Sequence, residues 1–195
     1  MMNAIKVENK IHPTMLALTG AGISKASGIP TFEDVPGLKQ KLSVEYKNTH
    51  KAEFKEAIQT LKDAVKDKRP NAAHKALAKH GIPVITMNVD GLHQKAGSDI
   101  VIECHGNAAA DTVVLYGQRA HYDGAFELLH LYAQKDCKKV LFVIGTSLQT
   151  EFANEFVEEA MELNYKVVTI NEDAEHKVEQ EIQKAYRELT IKVND

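Results

Sequence analysis

The sequence predicts an α/β fold with a Rossmann-type, mostly parallel sheet and helices on both faces. Short apolar runs alternate along the chain with segments whose apolar residues recur at helical spacing. Several of these runs end directly in glycine or polar residues, and open α/β sheets bind their ligands at such strand ends. With 195 residues, the chain is long enough for one domain with a sizeable core and too short for two. We therefore expect one domain over residues 1–195.

The first strand is predicted at 15–19, where an unbroken apolar run is typical of a strand buried on both faces. A Gly-Ala-Gly at 20–22 follows, where a nucleotide-binding fold needs a tight turn. Both glycines are expected to adopt unusual φ values and to expose their N–H groups to a pyrophosphate, beside a helix start that adds partial positive charge. Ser24 or Ser27 is the candidate cap of that turn. Lys25 stands where a full G-x-G-x-x-G has its third glycine, so a strand-turn-helix without a ligand is the alternative.

The remaining elements follow from apolar periodicity and from the positions of glycine and proline. Strands are predicted at 82–87, 100–104, 139–144 and 167–170, with an edge strand at 189–193. Helices are predicted at 38–46 and 53–65, within a small helical insert at about 34–70, and at 71–79, 91–97, 126–134, 151–163 and 174–188. The run at 139–144 is the most apolar, so we expect it to be central in the sheet.

Composition and charge exclude several classes of protein. A formal net charge of −3 leaves no basic surplus for a polyphosphate backbone, so nucleic acid is not expected as a partner. The chain has no run of about 18 apolar residues, so no membrane span is expected. Residues 1–13 lack the apolar core and cleavage site of a signal peptide, which predicts a cytoplasmic location. Without an export signal, Cys104 and Cys137 are expected to be free thiols.

Polar residues follow the second and third predicted strands of the sheet. Asn88 and Asp90 follow one strand, and their side chains can hydrogen-bond ribose hydroxyls and an amide, although both residue types also close local turns. His105 follows the other strand, where a neutral imidazole can accept a proton near pH 7 and the next glycine is expected to leave room for a substrate. His105 is therefore the candidate general base, with a structural histidine as the alternative. His74 and His93 are expected to be helix-packing residues.

A Gly-Thr-Ser-Leu at 145–148 ends the most apolar strand. Gly145 permits close approach of a ligand, and Thr146 and Ser147 offer hydroxyls and N–H groups to phosphate or ribose oxygens. These residues are equally compatible with the capped start of the amphipathic helix at 151–163.

Four motifs, taken together and in this order, resemble those of the sirtuins, which are NAD-consuming protein deacylases. They are GAGISKASGIPTF at 20–32, PNAAH at 70–74 with TMNVDGLHQKAG at 86–97, HG at 105–106, and GTSL at 145–148. The resemblance extends over roughly residues 14–173. Thr31 and Glu33 depart from the sirtuin loop, which has Asp and Arg there, and Met87 replaces a Gln.

The resemblance implies an NAD site and assigns its residues. Asn88 would order the nicotinamide ribose, Asp90 with the Val89 backbone would hold the carboxamide, and Asn171 would contact the adenosine ribose. The catalytic residues that it implies are His105, Asn88 and Asp90. The residues that it implies for NAD binding are Gly20, Ala21, Gly22, Ser24, Phe32, Asn88, Val89, Asp90, His105, Gly145, Thr146, Ser147 and Asn171.

In the sirtuin scheme NAD is a co-substrate and not a hydride carrier. The acyl oxygen of an acylated lysine attacks the ribose carbon as nicotinamide leaves. His105 would then deprotonate a ribose hydroxyl, and the acyl group would pass to ADP-ribose. The resemblance thus implies an acylated lysine of a protein substrate as the partner.

The chain departs most from the sirtuins after its His-Gly. Sirtuins carry two Cys-x-x-Cys pairs there for a structural zinc, whereas this chain has none, and only residues 106–112 precede the segment at 113–118 that resembles the strand after the zinc module. We therefore expect no structural metal. Residues 150–152 also depart from the pattern of the acyl-lysine groove. The alternatives are an NAD glycohydrolase or ADP-ribosyltransferase, and a non-enzymatic module that senses NAD or ADP-ribose.

Overall fold

The computed structural model describes residues 10–31 and 34–192, which contain a parallel five-stranded sheet and a separate pair of short strands. Phe32, one of the predicted NAD-contacting residues, and Glu33 lie outside the described residues. The strands are β1 (Lys10–Ile11), β2 (Thr14–Thr19), β3 (Val84–Thr86), β4 (Val101–Glu103), β5 (Lys139–Ile144), β6 (Tyr165–Ile170) and β7 (Ile191–Lys192). The main sheet has the order β4-β3-β2-β5-β6, and every neighbouring pair in it is parallel. The predicted α/β sheet is confirmed.

The chain crosses to the other side of the sheet next to β2. From β2 it passes to β3 and β4 on one side, and it then returns to add β5 and β6 on the other. The middle position therefore belongs to β2, and β5, which was predicted to be central, lies beside it with a parallel strand on either side. Because all five strands end at one edge, the loops after β2 and β5 lie side by side at a topological switch point, where such sheets bind ligands.

Helices cover both faces of the sheet. They are α1 (Leu38–Lys41), α2 (Val44–Thr49), α3 (Lys51–Lys66), α4 (Ala72–Lys79), α5 (Leu92–Ala96), α6 (Asp123–Ala133), α7 (Glu151–Glu162) and α8 (Ala174–Leu189). Ala17 of β2 packs in a cluster with α4 and α8, whereas Leu16 and Leu18 pack in a cluster with α6 and α7. This alternation follows from the two-residue period of a strand that is buried on both faces. Within residues 10–31 and 34–192, no helix has the length and apolar content that crossing a membrane requires.

Helices α1, α2 and α3 follow one another inside the region predicted as a helical insert. Ser43 caps α2 by accepting a hydrogen bond from the Tyr46 N–H at 3.2 Å. Near the end of α3, Val65 packs with Val89 and Ala108 in a third apolar cluster. The insert therefore lies against the loops that follow β3 and β4.

Two predicted strands lie elsewhere than in the main sheet. The segment at 113–118 forms only an isolated bridge between Tyr116 and Ser43. The chain folds back after β4, with the Val114 N–H donating to the His105 carbonyl at 2.9 Å, and this directs the segment towards α2. The edge strand predicted at 189–193 instead pairs, as β7, with β1 in antiparallel fashion. Since α8 returns the chain to the amino edge of the sheet, β7 reaches the residues that precede β2.

Candidate active site

Polar and glycine residues from five strand ends meet at the carboxyl edge of the sheet. Backbone hydrogen bonds continue past the strands and fix the loops there. The Met87 N–H donates to the Thr19 carbonyl at 3.0 Å, and the Gly145 N–H donates to the Ile170 carbonyl at 2.9 Å. The described site residues predicted from the sequence, at 20–22, 24, 88–90, 105, 145–147 and 171, therefore share one edge.

Gly20, Gly22 and Gly145, here called the glycine seam, bring the loops after β2 and β5 into backbone contact. The Gly22 N–H donates to the Gly145 carbonyl at 2.8 Å, and the Gly20 N–H donates to Ile144 at 2.9 Å. A Cβ on Gly145 would lie 2.2 Å from the Ile23 nitrogen, and one on Gly22 would lie 2.7 Å from Gly145 Cα. The expectation of exposed N–H groups and unusual φ values at Gly20 and Gly22 is wrong. Gly20 is extended at φ −122°, Gly22 has no positive φ, and both glycines serve the contact between loops.

The helix after the first loop is a 3₁₀ helix, Ala21–Ser27, without a side-chain cap. The two candidate caps bond elsewhere. The Ser24 hydroxyl donates to Asp90 Oδ2 at 2.7 Å, and Ser27 Oγ accepts from Asn71 Nδ2 at 3.1 Å. The capping prediction is therefore wrong, and these hydroxyls connect the loop to the rest of the site.

Ser24, His74, Asn88 and Asp90 form a buried group, here called the polar network. The Asp90 carboxylate accepts from Ser24 Oγ at 2.7 Å and from a backbone N–H at 2.9 Å. Asn88 Nδ2 donates to the Gly20 carbonyl at 3.1 Å and to Ser24 Oγ at 3.3 Å. These bonds fix the orientation of both strand-end side chains. The Asn88 amide oxygen takes no part in them and can face a ligand.

Two buried histidines support this arrangement. His74 Nδ1 donates to Asn71 Oδ1 at 3.0 Å, and its Nε2 lies 3.4 Å from Ser24 Oγ. His93 Nε2 lies 3.1 Å from Thr19 Oγ1, whereas its buried Nδ1 has no partner among the described residues. Burial lowers the pKa of His74 to about 4 and that of His93 to about 3. Both rings pack in the interior as expected, with centroids 4.8 Å apart, and both are neutral at pH 7.

A cavity of about 120 Å³ adjoins the polar network. The predicted site residues that line it are Ala21, Ser24, Asn88, Val89 and Asp90. Most of its other lining residues are apolar and come from the first loop and from α3. A mostly apolar cavity with an amide and a carboxylate in its lining suits a flat ring that carries an amide group. A larger cavity of about 720 Å³, between α3 and residues 108–121, is lined by none of the predicted site residues.

His105 lies two residues after β4, and both of its ring nitrogens are hydrogen-bonded. Nδ1 is 3.0 Å from the Met87 carbonyl oxygen, and Nε2 is 3.1 Å from the Tyr122 hydroxyl. Because a carbonyl oxygen only accepts, Nδ1 carries the proton and Nε2 carries the lone pair. Burial lowers the pKa of His105, which keeps the imidazole neutral at pH 7. Nε2 is therefore the basic atom of this residue.

Three aromatic side chains, Tyr122, Phe126 and Phe152, stand on the Nε2 side of His105 and are here called the aromatic cover. Tyr122 stacks on Phe152 with ring centroids 4.0 Å apart and planes 6° from parallel. Phe126 meets Phe152 edge-on at 5.9 Å, and Phe152 is 3% exposed. The sequence reasoning missed Tyr122. An aromatic residue just before an amphipathic helix carries no local signal that separates a site residue from a core residue.

The chain between His105 and Tyr122 folds back on itself. A Cβ on Gly106, which has φ +75°, would lie 1.8 Å from the Thr112 carbonyl oxygen. The expectation that Gly106 leaves room for a substrate is therefore wrong, because the chain itself fills that space. The backbone N–H before Tyr122 donates at 3.1 Å to the carbonyl before His105, and this bond sets the two side chains against each other.

The loops after β5 and β6 complete the edge. Thr146 is buried, and its hydroxyl accepts a backbone N–H two residues further on at 3.3 Å. Ser147 and Asn171 are exposed. Thr150 caps α7, which leaves Thr146 and Ser147 in the loop before it. Ser147 and Asn171 can therefore present polar atoms to a ligand on this side of the glycine seam.

The two cysteines lie apart in the fold and are free. Burial raises the pKa of the Cys104 thiol to about 12, so this residue is not a thiolate nucleophile at pH 7. Cys137 Sγ lies 3.0 Å from Thr14 Oγ1. In the described part of the chain, the one group of three possible metal ligands within reach of one another lies at the start of α8 and contains neither cysteine: Asp173, Glu175 and His176. The absence of a structural zinc remains a prediction from the sequence.

The chain is similar to one known family over most of its length. The model of the Sir2 family matches residues 20–148, a range that includes every predicted site residue except Asn171. An NAD-dependent protein deacetylase of Thermodesulfovibrio yellowstonii is 34% identical over 205 aligned residues, which cover 80% of this chain and 78% of that protein. An NAD-dependent protein deacetylase of Sulfolobus acidocaldarius is 47% identical over 102 residues, which cover 47% of this chain and only 40% of that protein.

A solved structure shows the same fold. A crystal structure of Sir2 in complex with the inhibitor EX-527, 2′-O-acetyl-ADP-ribose and a deacetylated p53 peptide is 25% identical in sequence, with a TM-score of 0.72. The superposition covers 88% of this chain and 93% of that one.

Proposed function

The chain belongs to the Sir2 family, and on that basis we propose that it is an NAD-dependent protein-lysine deacylase that releases nicotinamide and O-acyl-ADP-ribose. One observation carries the proposal. A cavity of about 120 Å³ lined by a fixed carboxylate, and a neutral imidazole whose Nε2 carries a lone pair, stand at the same edge of one sheet. These are the groups that hold a carboxamide and remove a proton from a hydroxyl.

The polar network would hold the nicotinamide half of NAD. NAD, when bound, supplies a ribose carbon whose bond to nicotinamide is broken. Asp90 would accept the carboxamide N–H₂ with its remaining lone pairs, beside the Val89 backbone, and the Asn88 amide oxygen would face the ribose. Across the glycine seam, the exposed Ser147 and Asn171 would contact the adenosine half.

His105 would act as the general base. It takes the proton of a ribose hydroxyl on Nε2, after which the acyl group passes from the lysine to ADP-ribose. The hydrogen bond from Nδ1 to the Met87 carbonyl supports this role, because it fixes the tautomer and turns the lone pair of Nε2 towards the site. The burial-lowered pKa supports it too, because a base must be unprotonated at the working pH.

A second candidate function, NAD glycohydrolase or ADP-ribosyltransferase, is favoured by the aromatic cover. The Tyr122 hydroxyl lies 3.1 Å from Nε2, its ring is fixed by the stack on Phe152, and it leaves less room at Nε2 for a bulky acyl-lysine. Water or a small acceptor needs less room. This reaction would use the same polar network and the same co-substrate.

Nicotinamide release from NAD, measured with and without an acetyl-lysine peptide and repeated with longer acyl chains, separates the candidates. Release that requires the peptide supports the deacylase. Release without peptide assigns the glycohydrolase, and NAD binding without any release contradicts both and leaves a sensor.

The variant His105→Ala tests the base. We expect turnover to fall by about 10²-fold or more, because a general base contributes that much, while the Kd for NAD changes little. His50→Ala, at an exposed histidine before α3, is the matched control and should leave turnover unchanged. Equal turnover in His105→Ala and the wild type would exclude the assignment.

Three further features remain proposals from the composition and motifs. They are one NAD-binding domain over 1–195 with a helical insert at about 34–70, a cytoplasmic location, and the absence of zinc and of nucleic-acid or membrane partners. The separation of the two cysteines in the fold supports the proposal on zinc. Metal analysis of the purified protein tests it.

A further inference from the structure

The lone pair of the candidate base already has a partner in this chain. Because Nδ1 of His105 donates to the Met87 carbonyl, Nε2 is an acceptor, and the Tyr122 hydroxyl 3.1 Å away must be its donor. A substrate hydroxyl therefore reaches Nε2 either through the Tyr122 oxygen or after Tyr122 has moved away. Which of these happens depends on how firmly the ring of Tyr122 is held.

The ring of Tyr122 is held from behind. It stacks on Phe152 at 4.0 Å and 6°, and Phe152 is itself buried between Phe126 and Phe156. The backbone before Tyr122 is hydrogen-bonded to the carbonyl before His105 at 3.1 Å. Moving the hydroxyl away from Nε2 would break the stack and expose apolar surface. The hydroxyl is therefore a fixed part of the site and not a mobile lid.

We infer that Tyr122 is a second catalytic residue, which stands between the reacting ribose hydroxyl and His105 and relays the proton. The ribose O–H bond breaks as its proton passes to Tyr122 Oη, and the Tyr122 O–H bond breaks as that proton passes to His105 Nε2. The ribose oxygen keeps the electron pair and bonds to the acyl carbon, while the π bond between that carbon and the lysine nitrogen breaks and its electron pair moves to the nitrogen. Tyr122 is neutral before and after, and His105 becomes the imidazolium. This inference rests on the proposed function and adds a residue to it.

The variant Tyr122→Phe removes the hydroxyl and keeps the stacked ring. Two half-reactions are measured with NAD and an acetyl-lysine peptide. One is the exchange of labelled nicotinamide into NAD, which precedes the proton transfer, and the other is formation of O-acetyl-ADP-ribose, which follows it. Tyr132→Phe, on the helix α6 that Tyr122 precedes but outside the aromatic cover, is the matched control, and thermal unfolding checks that each variant is folded.

We expect Tyr122→Phe to keep nicotinamide exchange within about twofold and to slow formation of O-acetyl-ADP-ribose by about 10-fold or more, with Tyr132→Phe unchanged in both. Equal loss of both half-reactions, or no loss in either, would overturn the relay, because Tyr122 would then be a structural residue. Faster product formation would overturn it as well, since the hydroxyl would then block the base. A wild-type chain that is inactive in both assays would overturn the proposed function and the relay together. An active wild type with an equally active variant overturns the relay alone.

Discussion

The polar network and the aromatic cover lie at the same edge of the sheet, but different parts of the chain build them. Ser24, Asn88 and Asp90 follow strand ends, so the parallel sheet itself brings them together. Tyr122 and Phe152 stand at the starts of helices α6 and α7, so their meeting depends on how two helices and a folded-back segment pack. The sheet fixes the network, and tertiary packing fixes the cover.

The difference has energetic consequences. A buried polar group is costly when its partner is lost, so the network tolerates few arrangements. Stacked aromatic rings contribute about 0.5–1.5 kcal/mol beyond their buried area, and related packings can replace them. We therefore expect perturbations of the network and the glycine seam to reduce global stability, and perturbations beside the cover to change one catalytic step.

Acidification should have the largest effect, through the histidines that support the network. The folded-state pKa values of His74 and His93, about 4 and about 3, lie below the ordinary 6.5. The unfolded chain therefore binds more protons between pH 6.5 and these values, and the free energy of unfolding falls as the pH falls through that window. By pH 4.5 we expect a loss on the order of 2 kcal/mol from each histidine, measured by urea unfolding.

A histidine variant assigns this effect. His93→Gln should flatten the dependence of the unfolding free energy on pH between 6.5 and 4.5, whereas His50→Gln at the surface should not. The hydrogen bond with His80 lowers the pKa of the Glu179 carboxyl from 4.5 to about 2. Protonation of this group therefore lowers the unfolding free energy mainly below pH 4.5, outside the window of the histidines. An unchanged slope in His93→Gln would show that the buried histidines do not control acid stability.

Gly145→Ala should have the next largest effect, because it closes the glycine seam. The new Cβ would lie 2.2 Å from the Ile23 nitrogen, at a residue with φ +62°. Backbone displacement and left-handed strain together predict a loss of about 3 kcal/mol of unfolding free energy and weaker NAD binding. Gly97→Ala is the matched control, since Gly97 has φ +89° but no atom within 4 Å of the added Cβ. It should cost about 1–2 kcal/mol and leave NAD binding intact. Equal losses in the two variants would mean that contact between the loops contributes nothing.

The same contrast explains which features of the fold and of the site could be predicted from the sequence. The parallel sheet, its order of elements and the strand-end residues such as Asn88 and His105 follow from apolar runs that end in polar motifs. The hydrogen bonds of Ser24 and the backbone contact at Gly22 could not be predicted, because each depends on a partner more than 60 residues away. The local sequence pattern assigned Ser24 and Gly22 only to the turn that contains them.

The path of the chain between His105 and Tyr122 could not be predicted from the sequence, for a different reason. Residues 113–118 have the composition of a strand, but whether such a segment joins a sheet depends on its tertiary contacts. The fold-back at Gly106 gives the segment backbone partners next to α2 instead. The residues of this segment do not by themselves predict which backbone partners it takes.

Asn107→Ala should have the smallest effect on stability and the most selective effect on catalysis. Asn107 Oδ1 accepts from the Ala109 N–H at 2.9 Å, and its Nδ2 donates to Glu103 at 2.7 Å, so it closes the fold-back that leads to Tyr122. Losing these bonds should cost about 1 kcal/mol. Formation of O-acetyl-ADP-ribose should slow while the Kd for NAD stays the same.

Asp111→Asn is the control for this last change. Asp111 lies in the same turn with φ +60°, a conformation that Asn adopts readily, and its ion pair with Lys62 is at the surface. An exposed pair contributes about 0–1 kcal/mol, so this variant should resemble the wild type in both assays. If Asn107→Ala weakens NAD binding as much as it slows the acyl step, the fold-back supports the polar network too. The network and the cover would then form one cooperative unit, because a change at the surface turn would reach residues held by the sheet.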